Sequence, residues 1–195
     1  MLKELAITPV VDVPPTVLLD YISEHDGLSR AIVARYHWGH GYFSTNLVEA
    51  WRRLASIADK YSMRGEVFVE WGSGLAGVSV CAAQLGFQAT AIEQDARLCR
   101  EATRLAQLVE WPIHVRQDSF LSGRLIRNHQ GSDFRGVKLV EQKIRVATRH
   151  RTLFFAYPWP GELGLIKEVF EGQGAEHDLL LCHLGVDEFA LFAKE

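Results

Sequence analysis

Short apolar runs alternate with amphipathic stretches along most of this chain. Val67 to Val69, Ala89 to Ile92, Ile113 to Arg116, Thr152 to Ala156 and Leu179 to Cys182 are brief and rich in β-branched, aromatic or aliphatic residues. Runs of that length, bounded by turn residues, predict buried strands. Between them the apolar positions recur at helical spacing. Residues 16–36 place Val17, Leu18, Tyr21, Ile22, Leu28, Ile32 and Val33 in such a pattern. A second helix runs to about Tyr61, with Ser44 or Thr45 as its cap and a face of Leu47, Trp51, Leu54, Ala55 and Ala58. Further helices are predicted from about Ala76 to Leu85, where Gly86 stops the pattern, from Asp95 to Val109, and from Gly161 to Phe170. Residues 9–15 read as an extended lead-in, and Glu188 to Lys194 as a last strand or a short helix.

Strands that alternate with helices predict the α/β class: a doubly wound, mostly parallel Rossmann-like sheet of about five to seven strands, with helices on both faces. The helices before the first of these strands form an N-terminal extension or lid, residues 1–64, packed on a core unit of residues 65–195. The chain has 195 residues, 48% hydrophobic and 23% charged, which is globular and sufficient for a core without disulfides. Its net charge of -3 argues against indiscriminate nucleic-acid binding. The three cysteines, Cys81, Cys99 and Cys182, are odd in number and lack zinc-ligand spacing, which fits a reducing cytoplasm. No run of about 18 apolar residues suggests a membrane span.

The chemistry gathers at strand ends. Gly72, Gly74 and Gly77 satisfy G-x-G-x-x-G directly after a strand and at the start of a helix, the context in which such a loop cradles a cofactor. A pyridine dinucleotide or S-adenosylmethionine suits such a loop, and charge separates them. Glu70, two residues before the first glycine, would repel a pyrophosphate and attract the ammonium and sulfonium of S-adenosylmethionine. Glu93 ends the second of these strands, 19 residues after Gly74, placed to accept from a ribose diol. Asp118 ends the third, placed to accept from the adenine amine.

Glu70-Trp-Gly-Ser-Gly-Leu-Ala-Gly77, Ala91-Ile-Glu93 and Gln117-Asp118 together resemble the Rossmann-like, class I S-adenosylmethionine-dependent methyltransferases, over roughly residues 65–184. The resemblance implies that Glu70 faces the methionine end, that Gly72, Ser73 and Gly74 form the loop, and that Glu93 and Asp118 hold ribose and adenine. It also implies that the end of the fourth of these strands faces the transferred methyl. There Tyr157-Pro-Trp-Pro160 is similar to the Asp/Asn-Pro-Pro-aromatic motif of amino methyltransferases, with Ala156 or Tyr157 where that motif has its polar acceptor. Tyr157 and Trp159 offer aromatic faces to a cation. Glu162 is the candidate for positioning an amine or hydroxyl.

Two segments extend this reading. Tyr36 to Phe43, with Trp38, Tyr42 and Gly39 and Gly41, reads either as a lid over the site or as an aromatic packing cluster. Residues 124–151 hold eight arginines and lysines against Asp133 and Glu141, a local charge of +6 that leaves -9 elsewhere. That run would dock an anionic partner, or else form a solvated insertion. The expected function is methyl transfer from S-adenosylmethionine to an unidentified acceptor. A methyltransferase-like binding module without catalysis is the alternative, favoured by the 12 residues after His183, too few for the usual final helix and strand. A nicotinamide-dependent oxidoreductase is a third reading, opposed by Glu70. The short tail would also leave an open sheet edge that invites pairing.

Overall fold

The structure is a computed structural model, described here for residues 1–35, 44–121 and 150–194. Among the described residues seven strands form one sheet: β1 (Leu2–Leu5), β2 (Val67–Trp71), β3 (Gln88–Glu93), β4 (Ile113–Gln117), β5 (Thr152–Ala156), β6 (Leu179–Gly185) and β7 (Glu188–Lys194). Five described helices pack on it: α1 (Thr16–Arg35), α2 (Leu47–Lys60), α3 (Gly77–Gln84), α4 (Ala96–Ala106) and α5 (Leu163–Gln173). The strand order is β1-β7-β6-β5-β2-β3-β4. β6, β5, β2, β3 and β4 are mutually parallel, and β7 is antiparallel to β6. The chain runs outward from β2 to β4, then returns to β5 on the other side of β2. The strand order therefore reverses between β2 and β5, the switch point beyond whose carboxyl ends ligands bind in open α/β sheets.

Burial follows from this layering. All five residues of β2 and all five of β5 are buried, since helices cover both faces of the central strands. Phe68, Phe155 and Leu181 pack toward α1, α2 and α3, while Val69, Phe154 and Leu180 pack toward α5. The α3 segment, Gly-Val-Ser-Val-Cys-Ala-Ala-Gln, is buried nearly all round, so it has small residues and no polar face. By contrast α2 is amphipathic, and its Asn46 cap accepts from the Glu49 amide at 3.2 Å.

The tail is a strand, closed onto β6 by a turn in which Gly185 and Val186 both take positive φ. The N-terminal residues Leu2 to Leu5 supply the strand beyond it, pairing antiparallel with β7 from Leu2↔Lys194 to Leu5↔Leu191. β1 consequently runs in the direction of the five parallel strands. It covers the edge that the sequence pattern leaves open after β7, and its own edge carries Lys3 and Glu4, charges that discourage further pairing. Segment 1–64 thus contributes a strand to the sheet as well as two helices on its face. Among the described residues no helix is long and apolar enough to cross a membrane.

Candidate functional site

β2 delivers the chain into a tight turn at the switch point. Gly72 and Gly74 adopt φ of 66° and 55°, in the left-handed region that glycine enters without a Cβ penalty. Ala76 joins them at 58°, a conformation that costs an alanine roughly 1 kcal/mol. The turn is tied down on both sides. The Ser73 amide donates to Ile92 O at 2.9 Å, and the Ala76 amide donates to Ser73 O at 2.7 Å. Gly77 opens α3 where there is no room for a side chain. A Cβ there would lie 2.8 Å from His25 Nε2 and from both Leu47 methyls, so this glycine lets α1 and α2 close down on the loop.

Glu93 and Glu70 brace the turn differently. Glu93 lies at the end of β3 and is buried. Its Oε2 accepts from the Gly74 amide and its Oε1 from the Asp95 amide, each at 2.8 Å. Burial raises its pKa, and those amides work against the rise. Glu70 turns toward α3, where its Oε2 accepts from the Ser79 amide at 2.8 Å and from Ser79 Oγ at 2.6 Å. Burial pushes its pKa up to about 7, opposed by the Ser79 hydrogen bonds and assisted by the charge of Glu93. Asp118 stands beside Glu93, its amide donating to Glu93 O at 2.9 Å. Its carboxylate accepts from Arg116 Nη2 at 2.9 Å and from the Ser119 amide at 2.8 Å. The structure therefore brings Glu70, Gly72, Ser73, Gly74, Gly77, Glu93 and Asp118 together around the ends of β2, β3 and β4.

The other half of the switch point is the turn after β5. Trp71 and Ala156 are register partners, so Tyr157 emerges next to the glycine turn. Tyr157 is half-buried, Pro158 is buried, and Trp159 is 43% exposed. Glu162 precedes α5 and folds back locally, its Oε2 accepting from the Trp159 amide at 3.3 Å. In this arrangement it braces the aromatic turn.

No family model matches the chain, and no curated protein matches it. Solved structures do. A methyltransferase from Geobacter sulfurreducens superposes with a TM-score of 0.53 over 94% of this chain and 97% of its own, at 11% identity. An O-methyltransferase from Bacillus cereus, in complex with S-adenosylhomocysteine, gives 0.51 over 89% of this chain and 68% of its own, at 10% identity. An RNA methyltransferase from Salinibacter ruber, also in complex with S-adenosylhomocysteine, gives 0.50 over 77% and 91%, at 14% identity. The fold is that of the class I S-adenosylmethionine-dependent methyltransferases.

Within this methyltransferase fold several neighbours of the site were not singled out by the sequence pattern. Phe120 stacks on Trp71 with ring centroids 5.4 Å apart and lies against Gly72. His183, at the end of β6, lies under Tyr157. Phe120 follows Asp118 by two residues, a spacing that marks the strand end without marking the ring. His183 looks like any strand residue until β5 and β6 are paired. The aromatic segment 36–43 lies outside the described residues, as does 124–149 of the basic run. Arg151 is described and sits at the opposite end of β5 from the site, bonded to Glu66 and to Ser62 O.

Proposed function

We propose that this chain is a methyltransferase that binds S-adenosylmethionine on the Gly72–Gly74 turn and passes its methyl group to an acceptor arriving beside Tyr157. One observation carries the choice of cofactor. In a dinucleotide site the free amides of the first helical turn receive a pyrophosphate. Here the Ser79 amide of that turn is taken by Glu70, and a buried acid occupies the helix's positive end. A pyrophosphate would meet an occupied donor and, where Glu70 is ionised, a like charge, whereas S-adenosylmethionine offsets its one carboxylate with an ammonium and a sulfonium. The turn also fits a ligand with hydrogen-bonding groups, because Ser73 Oγ is buried without a partner.

When bound, S-adenosylmethionine supplies a methyl on a sulfonium leaving group, so the protein's task is chiefly alignment. Glu93 and Asp118 hold the nucleoside end, and Gly72, Ser73 and Gly74 let the backbone approach the methionine end. Tyr157 and Trp159 form the acceptor wall, and Glu162 holds that wall through the Trp159 amide. Segment 1–64 acts as a covering extension on the cofactor-binding unit. The +6 run of residues 124–151 suits an anionic acceptor or partner on charge alone.

Calorimetric titration with S-adenosylhomocysteine tests the cofactor, and Glu93→Ala should weaken binding by about tenfold or more if a carboxylate–diol contact is lost. A folded sample that ignores S-adenosylhomocysteine but binds a nicotinamide dinucleotide would sink the proposal. Methyl-labelled S-adenosylmethionine, offered with lysate fractions, separates an enzyme from a binding module without catalysis: the module binds and transfers nothing.

A further inference from the structure

A stack of side chains at the acceptor end of the sheet goes beyond the roles assigned so far. His183 is 2% exposed at the end of β6. Its ring packs on Tyr157 at a tilt, centroids 4.3 Å apart and planes at 43°, and Phe189 of β7 lies nearly parallel to it at 4.5 Å and 16°. Arg53 of α2 covers the Phe189 ring at 4.3 Å. The edges are pinned as well. Val186 O can only accept, so His183 Nε2 carries the hydrogen and donates to it at 2.7 Å. That leaves Nδ1 as the acceptor for the Thr45 hydroxyl, 3.4 Å away, immediately before α2. The hairpin turn is held to the same helix, Asn46 Nδ2 donating to Asp187 Oδ1 at 3.1 Å and Arg53 Nη2 to Asp187 O at 2.9 Å.

We propose that His183 is a positioning residue for methyl transfer: its uncharged ring, fixed at both edges, is the platform that sets Tyr157 at the mouth of β5, where the acceptor is brought to the methyl. The inference rests on the methyltransferase reading. A half-buried tyrosine on a turn has rotamer freedom that packing against the His183 ring removes, and a shift of about 1 Å in an aligning group can cost on the order of a hundredfold in rate. The ring also links Tyr157 to Thr45 and so ties the acceptor wall to the start of α2. Burial keeps His183 below its usual pKa; Asp187 of the turn favours its protonation and Arg53 opposes it. If it is protonated, Nδ1 becomes a donor and the Thr45 hydroxyl must turn to accept.

Two variants separate ring from hydrogen bonds. His183→Phe keeps a platform and loses both edge contacts, whereas His183→Gln keeps an amide and loses the ring. Fluorine NMR of protein labelled with 3-fluorotyrosine, with the Tyr157 signal assigned by Tyr157→Phe, reads the platform directly. The Tyr157 signal should move in the native protein as pH falls below 6.5, and move clearly less in both variants, where Glu70 and Glu93 of the neighbouring turn still titrate. It should be displaced at all pH values in His183→Gln. Labelled methyl transfer to lysate acceptors should fall about tenfold or more in His183→Gln and by clearly less in His183→Phe, which keeps the platform but not its edge contacts, with S-adenosylhomocysteine affinity within about twofold in both. An unchanged Tyr157 signal in His183→Gln overturns the proposal, as does transfer by that variant equal to transfer by His183→Phe. Native protein that binds no S-adenosylhomocysteine would show instead that the cofactor reading failed, while the fluorine signal still decides whether His183 fixes Tyr157.

Discussion

Glu70→Gln is the sharpest test of how the glycine turn is built. Glu70 is buried, and burial lifts its pKa from 4.5 to about 7. The native chain thus holds this proton to higher pH than the unfolded chain does. The resulting stabilisation is complete below pH 4.5 and is lost as pH rises through about 7. The gap corresponds to about 3 kcal/mol, of which about 2 to 3 kcal/mol falls between pH 5 and pH 8. Glutamine has no proton to lose. Both Ser79 bonds fall on Oε2 of Glu70, so a glutamine oxygen in that place accepts from the Ser79 amide and hydroxyl alike. Thermal unfolding of both proteins from pH 5 to pH 8 should show the native midpoint falling by about 5–10 °C more than that of the variant. Glu93 and Asp178, raised by burial, lose stabilisation in the same direction, and His183, lowered by burial, loses it as pH falls. All three are common to both proteins, and only Glu93 is coupled to Glu70, so the difference between the curves reports Glu70 together with the repulsion between these two acids. Parallel curves would mean that Glu70 titrates like a solvated carboxylate, and the account of the turn would be wrong.

Packing and capping give further expectations. Gly77→Ala forces a Cβ to within 2.8 Å of His25 Nε2 and the Leu47 methyls, and should cost about 1–3 kcal/mol in urea unfolding. Gly27→Ala, in the middle of α1 with nothing within 4 Å of the new methyl, should instead stabilise by roughly 0.5–1 kcal/mol. Asn46→Ala removes the α2 cap and the bond to Asp187, and should lower stability by about 1 kcal/mol in the same assay.

What the sequence shows and hides follows from how local each signal is. β2, β5 and β6 are read directly as apolar runs because both their faces are buried. The loop is legible because G-x-G-x-x-G answers local demands: positive φ at Gly72 and Gly74, close helix contact at Gly77. β1 is not legible. Leu-Lys-Glu-Leu carries a half-buried pattern too short to stand out, and its partner lies almost the whole chain away at Leu191 to Lys194. His183 is hidden for the same reason, since its meaning comes from Tyr157, Thr45 and Phe189 on three other segments. The acids are located correctly at strand ends, but their partners are not foreseeable. The reading by charge points Glu70 at a cation, whereas in the fold its carboxylate is turned to the start of α3.

That difference separates the two buried acids of the site. Glu93 divides its two oxygens between the Gly74 and Asp95 amides, whereas both Ser79 bonds fall on a single oxygen of Glu70. A carboxylate oxygen has two lone pairs, so Glu93 can hold the turn and still accept from a ribose diol. Glutamine at this position has a single acceptor oxygen and must set its NH₂ against one of the two amides. That leaves a buried donor unpaired and removes the charge that strengthens the other bond, a cost of about 1–3 kcal/mol. Glu93→Gln should therefore be less stable than the native protein at pH 8, where Glu70→Gln is equal or more stable. On the proposed cofactor reading it should also bind S-adenosylhomocysteine more weakly, because the carboxylate that holds the Gly74 amide would be the acceptor for the ribose diol as well. Urea unfolding of the three proteins at pH 8 checks the order. Equal loss of stability in the two variants would show that Glu70 and Glu93 support the turn in the same way, and the distinction drawn from their oxygens would fail.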